Sequence, residues 1–256
     1  MWDRLSFTYD GTFDGLLSCV FEVFEKKRLP QQIVKKEVPL FFTESYSVVT
    51  DEQKANRVMT GLKKKISKSA LQMLFTCWLS EENGIELLLF NYIWKSFLAE
   101  KSIELNFSDV DVLELSKIYK KVGREAERMR QFIRFQKATD GTFFAAIEPK
   151  YNVLPMVSDH FEDRFSDQQW LIYDIKRKYA LYYNLQKIEI VHFDDPKINF
   201  QTGKLHSDLL DDGEKLFQSG WKQYLHSISI KERKNLRLQQ QFMPKRFWRY
   251  LTEKQA

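Results

Sequence analysis

Residues 109–147 constrain this chain more than any other stretch, because a long amphipathic repeat runs straight into a hairpin signature. At 100° per residue, Leu115, Ile118, Val122, Ala126 and Met129 fall on one side of a helix, while Lys117, Lys121, Arg124 and Arg128 fall on the other. One face is expected to be core and the other a basic stripe. Next come Phe132-Ile133-Arg134-Phe135-Gln136-Lys137 and Thr142-Phe143-Phe144-Ala145-Ala146-Ile147, which flank Asp140-Gly141. That dipeptide tolerates the positive φ of a tight hairpin turn. The spacing therefore predicts a basic helix docked on a sheet.

A chain of 256 residues with 43% hydrophobic content can bury one sizeable core or two small ones. With nine Gly and six Pro and no run rich in either, no flexible linker is expected. The reading is a single unit over 1–256, with about 51–108 as a candidate helical subdomain. Met1-Trp2-Asp3-Arg4 lacks the basic-then-apolar order of a signal peptide, and the longest near-apolar runs, 70–79 and 87–94, are too short to span a bilayer. A cytoplasmic location without membrane attachment is expected.

Charge distribution says more than the net +5. Residues 112–138 carry Lys117, Lys120, Lys121, Arg124, Arg128, Arg130, Arg134 and Lys137 against Glu114, Glu125 and Glu127. Residues 231–254 carry Lys231, Arg233, Lys234, Arg237, Lys245, Arg246, Arg249 and Lys254 against Glu232 and Glu253. The rest of the chain is net acidic, an asymmetry that points to an anionic partner.

Along the chain, 5–9 reads as a strand, and Asp10-Gly11-Thr12 turns into a helix striped by Phe13, Leu16, Leu17, Val20, Phe21 and Phe24. A second strand is expected at 40–49. Helices follow, capped at Thr50 and at Ser67 or Ser69, with a third over 86–98, and Ser108 is the expected cap of the basic helix. After the hairpin come a helix at 153–165 with Pro155 in its first turn, and strands at 169–175, 178–184 and 187–193. A helix at 208–227 and a short one after Pro244 close the chain. The fold class is α+β: a largely helical N-terminal half, the basic helix on an antiparallel sheet, and a helical C-terminus.

Candidate chemistry is sparse. Neither a phosphate loop ending in Lys-Ser/Thr nor a Gly-x-Gly-x-x-Gly turn is present, which argues against a nucleotide-dependent motor. His160, His192, His206 and His226 are dispersed, and Cys19 and Cys77 stand alone at helical positions, where reduced core thiols are expected. Two thiols hold no iron–sulfur cluster, so no cofactor is expected. His192-Phe193-Asp194-Asp195 is favoured as a turn over a metal site, and Asp10 and Asp14 as turn and first-turn residues over a phosphate or metal site. Glu125 and Glu127 are expected as ion-pair partners of Arg124, Arg128 or Arg130. The second basic segment interleaves cations with Phe242, Phe247, Trp248 and Tyr250, a composition suited to phosphate contact plus stacking on an unpaired base. Phe247 and Leu251 are expected to be core. The candidate nucleic-acid residues are Lys117, Lys121, Arg124, Arg128, Arg134, Arg237, Lys245, Arg246 and Trp248.

Five ordered motifs carry a family resemblance. They are Tyr9-Asp10-Gly11-Thr12-Phe13-Asp14-Gly15-Leu16-Leu17; Gly123-Arg124-Glu125-Ala126-Glu127-Arg128-Met129 leading into Phe132-Ile133-Arg134-Phe135; His160-Phe161-Glu162-Asp163-Arg164-Phe165; Trp170-Leu171-Ile172-Tyr173-Asp174; and Phe242-Met243-Pro244-Lys245-Arg246-Phe247-Trp248-Arg249-Tyr250-Leu251-Thr252-Glu253. Together they resemble a bacterial family described as probable DNA metabolism proteins, over nearly the full length. Its members are encoded beside a radical-SAM protein thought to act in DNA repair or modification, or are fused to a uracil-DNA glycosylase domain, and no glycosylase extension is recognised here. The resemblance implies a DNA-binding or adaptor subunit whose radical-SAM partner supplies the iron–sulfur cluster. It implies no catalytic residues. The alternatives are a stand-alone enzyme on damaged DNA, nuclease- or glycosylase-like, and an RNA-binding protein, since phosphates do not distinguish the polymers.

Overall fold

A computed structural model describes residues 5–35, 44–194 and 196–255. The chain divides into two compact units, Met1–Gly123 and Arg124–Ala256. The expected subdomain at about 51–108 falls inside the first.

In the first unit, β1 (Leu5–Tyr9) is buried along nearly its whole length and pairs in parallel with β2 (Gln32–Lys35) on one side and β3 (Glu44–Ser47) on the other. The expected strand at 40–49 is thus β3, with 40–43 outside the described residues. Between β1 and β2 runs α1 (Phe13–Lys26), whose Leu16, Leu17, Val20 and Val23 are buried. Thr12 caps it, accepting from the Gly15 N–H at 2.9 Å. α2 (Glu52–Lys65), α3 (Lys68–Trp78) and α4 (Ile85–Leu98) follow.

Two caps differ from expectation. Asp51, not Thr50, accepts from the first amides of α2, and Ser67 caps α3 as expected. Likewise Asp109 rather than Ser108 accepts from Asp111 and Val112 at the start of α5 (Val110–Phe132). In both cases an aspartate next to the hydroxyl residue is the cap, and Thr50 instead donates its hydroxyl to Asp10 at 2.7 Å. Leu115, Ile118, Val122, Ala126 and Met129 are all buried, so the α5 stripe is core as its spacing predicts. Cys19 and Cys77 are buried thiols, and burial pushes both up to about 12.

The second unit holds a five-stranded sheet in the order β4-β5-β6-β7-β8: Gln136–Lys137, Phe143–Ile147, Trp170–Asp174, Tyr179–Tyr183 and Ile188–Val191. The hairpin forms around Gly141 at φ +86°, although α5 runs on to Phe132 and leaves β4 only two residues. The sheet is mixed, not antiparallel, and the first unit's sheet is parallel. β5 pairs in parallel with β6, joined by α6 (Leu154–Arg164), which carries Pro155 in its first turn. Parallel neighbours need such a crossover, and a strand buried on both faces reads as a continuous apolar run, which Phe143-Phe144-Ala145-Ala146-Ile147 does.

A small pair, β9 (Ile198–Asn199) and β10 (Lys204–Leu205), precedes α7 (Glu214–Ile228), which starts six residues later than expected. α8 (Leu236–Phe242) was not legible in the periodicity, and the element after Pro244 is a 3₁₀ turn over Lys245–Tyr250. Among the described residues no helix is long and apolar enough to cross a membrane. The fold is α+β.

Candidate nucleic-acid interface

The basic face of α5 is solvated as its spacing predicts. Lys117 is exposed with its Nζ 3.2 Å from Glu114, and Lys121 is exposed 3.9 Å from Glu82. Arg124 is exposed and has no ion-pair partner among the described residues. Arg128 is half-buried, 4.0 Å from Glu125. The exposed Lys117–Glu114 and Lys121–Glu82 pairs contribute about 0.2–1 kcal/mol at most, so a phosphate can replace the carboxylate there at little cost, whereas Arg128 faces the buried Glu125. Lys117 and Lys121 belong to the first unit, Arg124 and Arg128 to the second.

The cations of the C-terminal motif behave differently. A 3₁₀ turn repeats every three residues, so Lys245 shares a side with Trp248, and Arg246 shares another with Arg249. Arg246 grips buried Glu125 through both guanidinium nitrogens, one at 2.6 Å to Oε1 and the other to Oε2. Glu125 also accepts the Lys150 N–H at 2.8 Å. The Glu125 partner is thus mainly a residue far along the chain, with Arg128 at longer range, while Glu127 pairs with Arg130 as expected. Two guanidiniums on one carboxylate leave a surplus positive charge, and the Arg246 side chain stays 39% exposed.

Arg249 pairs with Glu148, which also accepts the Tyr250 hydroxyl at 2.8 Å. Arg134 donates to Glu253 at 2.9 Å and to the carbonyls of Gln131 and Ile133. Arg134 is therefore an anchor, with little left for a phosphate. Phe247 and Leu251 are buried, as their spacing predicts. Lys245 and Arg237 are exposed and free of ion pairs among the described residues.

Trp248 is neither fully core nor fully open. Its indole N–H donates to the Met243 carbonyl at 2.9 Å, and Lys254 Nζ lies 4.7 Å from its ring centroid. The ring lines a hollow of about 890 Å³ formed with the end of α7 and with α8. Ile230, Leu236 and Phe242 add apolar wall, Arg233, Lys234 and Lys254 add charge, and Asn235 and Gln239 add side-chain amides. No carboxylate is among its described lining residues. Such a hollow can hold a phosphodiester by its cations and a base by its rings.

Sequence reasoning found Trp248 but missed Arg233, Lys234, Phe242 and Lys254 as one wall. The missing step was α8, a short glutamine-rich helix. Its one signal is Asn235, whose side chain accepts the Leu238 N–H at 3.0 Å as an N-cap.

The Asp10 motif holds a turn. Asp10 Oδ1 accepts from the Thr12 amide and hydroxyl at 2.9 and 2.7 Å, and Oδ2 from the Thr50 hydroxyl at 2.7 Å. Burial pushes its pKa up, but these hydrogen bonds outweigh burial and hold it below the usual carboxylate range. The bonds to Thr12 close the turn that leads into α1, where Asp10 was expected. Asp195 lies outside the described residues, so the His192 to Asp195 turn is only partly described. Among the described residues no three His, Cys, Asp or Glu side chains come together as a metal site.

A family model described as a domain of unknown function, DUF4130, matches residues 83–253. That is more than half of the chain. The chain belongs to the DUF4130 family. The matched span of this DUF4130 chain takes in α5, the five-stranded sheet, the Glu125–Arg246 lock and most of the Trp248 hollow. The Asp10 motif lies outside it. No curated protein and no solved structure matches the chain.

Proposed function

We propose that this DUF4130 protein is a DNA-binding adaptor subunit that grips unpaired DNA through the Trp248 hollow and through Arg124, the exposed α5 cation of the same unit. The observation that carries the reading is the hollow itself, where Trp248 and Phe242 stand among Arg233, Lys234 and Lys254 with no lining carboxylate. Rings that stack on any base, combined with cations that follow a backbone, favour single strands, gaps and lesions over intact duplex. An adaptor also needs a protein-facing surface. Tyr224 and Ile228, further along α7, are 54% and 55% exposed, large apolar side chains of the kind that proteins cover with a partner.

The radical-SAM identity of that partner rests on the resemblance to the DNA metabolism family alone, as does a role in DNA repair or modification. The reading takes the chain as a subunit, in which Glu125, Glu148 and Glu253 are each engaged by arginine and hold the C-terminal motif in place. The test is binding of the purified chain to gapped, single-stranded and intact duplex oligonucleotides, beside co-purification with a co-expressed radical-SAM partner. Tighter binding to gapped and single-stranded DNA, with co-purification, supports the reading. Turnover of an oligonucleotide by the chain alone, abolished by one carboxylate change, would replace it with the enzyme reading.

A further inference from the structure

A second, separate recess lies beside α7. A groove of about 630 Å³ is walled by Phe135, Phe143, Phe217 and Trp221, with Lys137 and Gln218 among its polar members. Phe135 and Phe143 also line a smaller, more enclosed chamber of about 170 Å³, completed by Phe165, Gln168 and Trp170. Phe135 meets Phe165 edge-on at 5.4 Å within the wall, and Trp170 stacks on Tyr183 at 5.5 Å behind it, so ring contacts hold the chamber in place.

The polar groups restrict what fits. The Gln168 side-chain amide has no hydrogen-bond partner among the described residues, and it offers one acceptor and two donors. Trp170 is fully buried, and its indole N–H has no acceptor among the described residues. At the groove, Glu214 is occupied by the Lys137 N–H at 3.0 Å and by the Gln218 amide at 2.9 Å. The Lys137 side chain is 42% exposed, with its Nζ 3.5 Å from Asp211. A cationic ligand would meet Arg134 and Lys137, and a bare phosphate would find apolar rings. A neutral planar heterocycle on an anionic tether satisfies both ends.

We propose that this chamber takes one nucleobase everted from DNA, stacked between Phe135 and Phe143, hydrogen-bonded by Gln168, with Lys137 reaching the adjoining phosphate. An enzyme or its adaptor that inspects a base must lift it from the stack, and aromatic walls plus an amide are the means by which such pockets hold it. The inference rests on the DNA-binding reading and adds a second contact to it, distinct from the Trp248 hollow.

The test is nuclear magnetic resonance of the tryptophan indole N–H signals, with Trp170 and Trp221 assigned from Trp170→Phe and Trp221→Phe. A duplex with a single-nucleotide bulge is expected to shift both signals, and intact duplex is not. Gln168→Ala, at a partly exposed position outside the core, is expected to weaken bulge binding about tenfold while leaving affinity for intact duplex unchanged. Phe143→Leu supplies an independent variant that keeps the site apolar. Salt-dependent DNA binding without a bulge-specific shift would overturn the chamber proposal and leave the adaptor reading standing. Failure to bind any oligonucleotide would overturn both.

Discussion

Arg124 and Arg246 look interchangeable in the sequence, and the structure gives them opposite roles. Arg124 is exposed without an ion pair, whereas Arg246 closes over buried Glu125. Arg124→Ala should leave thermal stability within about 0.5 kcal/mol and reduce the log–log salt slope of DNA binding by about one. Arg246→Ala should cost about 1–3 kcal/mol in urea unfolding, because it strips a buried carboxylate of its main partner. The figure lies below that of a fully buried pair because Arg246 is itself partly exposed. A stability loss for Arg124→Ala as large as that for Arg246→Ala would remove the distinction. The charge of these residues was legible in the sequence. Their division into anchors and free cations was not, since it depends on a contact between residues 121 positions apart.

Elements were legible where one periodicity dominates. The α5 stripe is such a case: Val122 is wholly buried, and Val122→Asp should cost several kcal/mol, roughly 3 or more, by placing an unpaired charge in the core. Unfolding curves for that variant that match the parent would contradict the core assignment. What periodicity could not give was strand direction. β5 and β6 are parallel because α6 intervenes, and the expected helix at 153–165 together with the continuous apolar run of β5 hinted at it. The short element after Pro244 was legible as helical with Phe247 in the core, but its 3₁₀ form was not, because side-chain contacts hold it.

Thr252–Lys254 is fastened through Glu253, which accepts from Arg134 at 2.9 Å and from the Trp221 indole at 3.1 Å. Burial pushes the Glu253 pKa up, but its hydrogen bonds and the Arg134 charge outweigh burial and hold it below the usual range. A lowered folded-state pKa means stability that is present above the unfolded value and lost as pH falls through the folded one. Stability should therefore drop below the ordinary glutamate range, and Glu253→Gln should flatten that part of the profile. Denaturant midpoints between about pH 3 and 6 measure it, and an unchanged profile in Glu253→Gln would count against the fastening.

On the scale of the whole molecule, composition predicted an anionic partner from two basic segments set against an acidic remainder, and the second unit turns one of them into a hollow with rings and cations on its walls. The hollow was not legible because α8, which builds one side of it, has too short a repeat to announce itself. The central claim is that Trp248 meets an unpaired base. Affinity of Trp248→Ala for single-stranded, gapped and intact duplex DNA, across a salt series and beside its melting temperature, tests that claim most directly. The account predicts a loss of about 1–3 kcal/mol for single-stranded and gapped DNA, a nearly unchanged salt slope, and little loss for intact duplex. Equal loss for every ligand in step with a lowered melting temperature, or unchanged affinity for all of them, would contradict it.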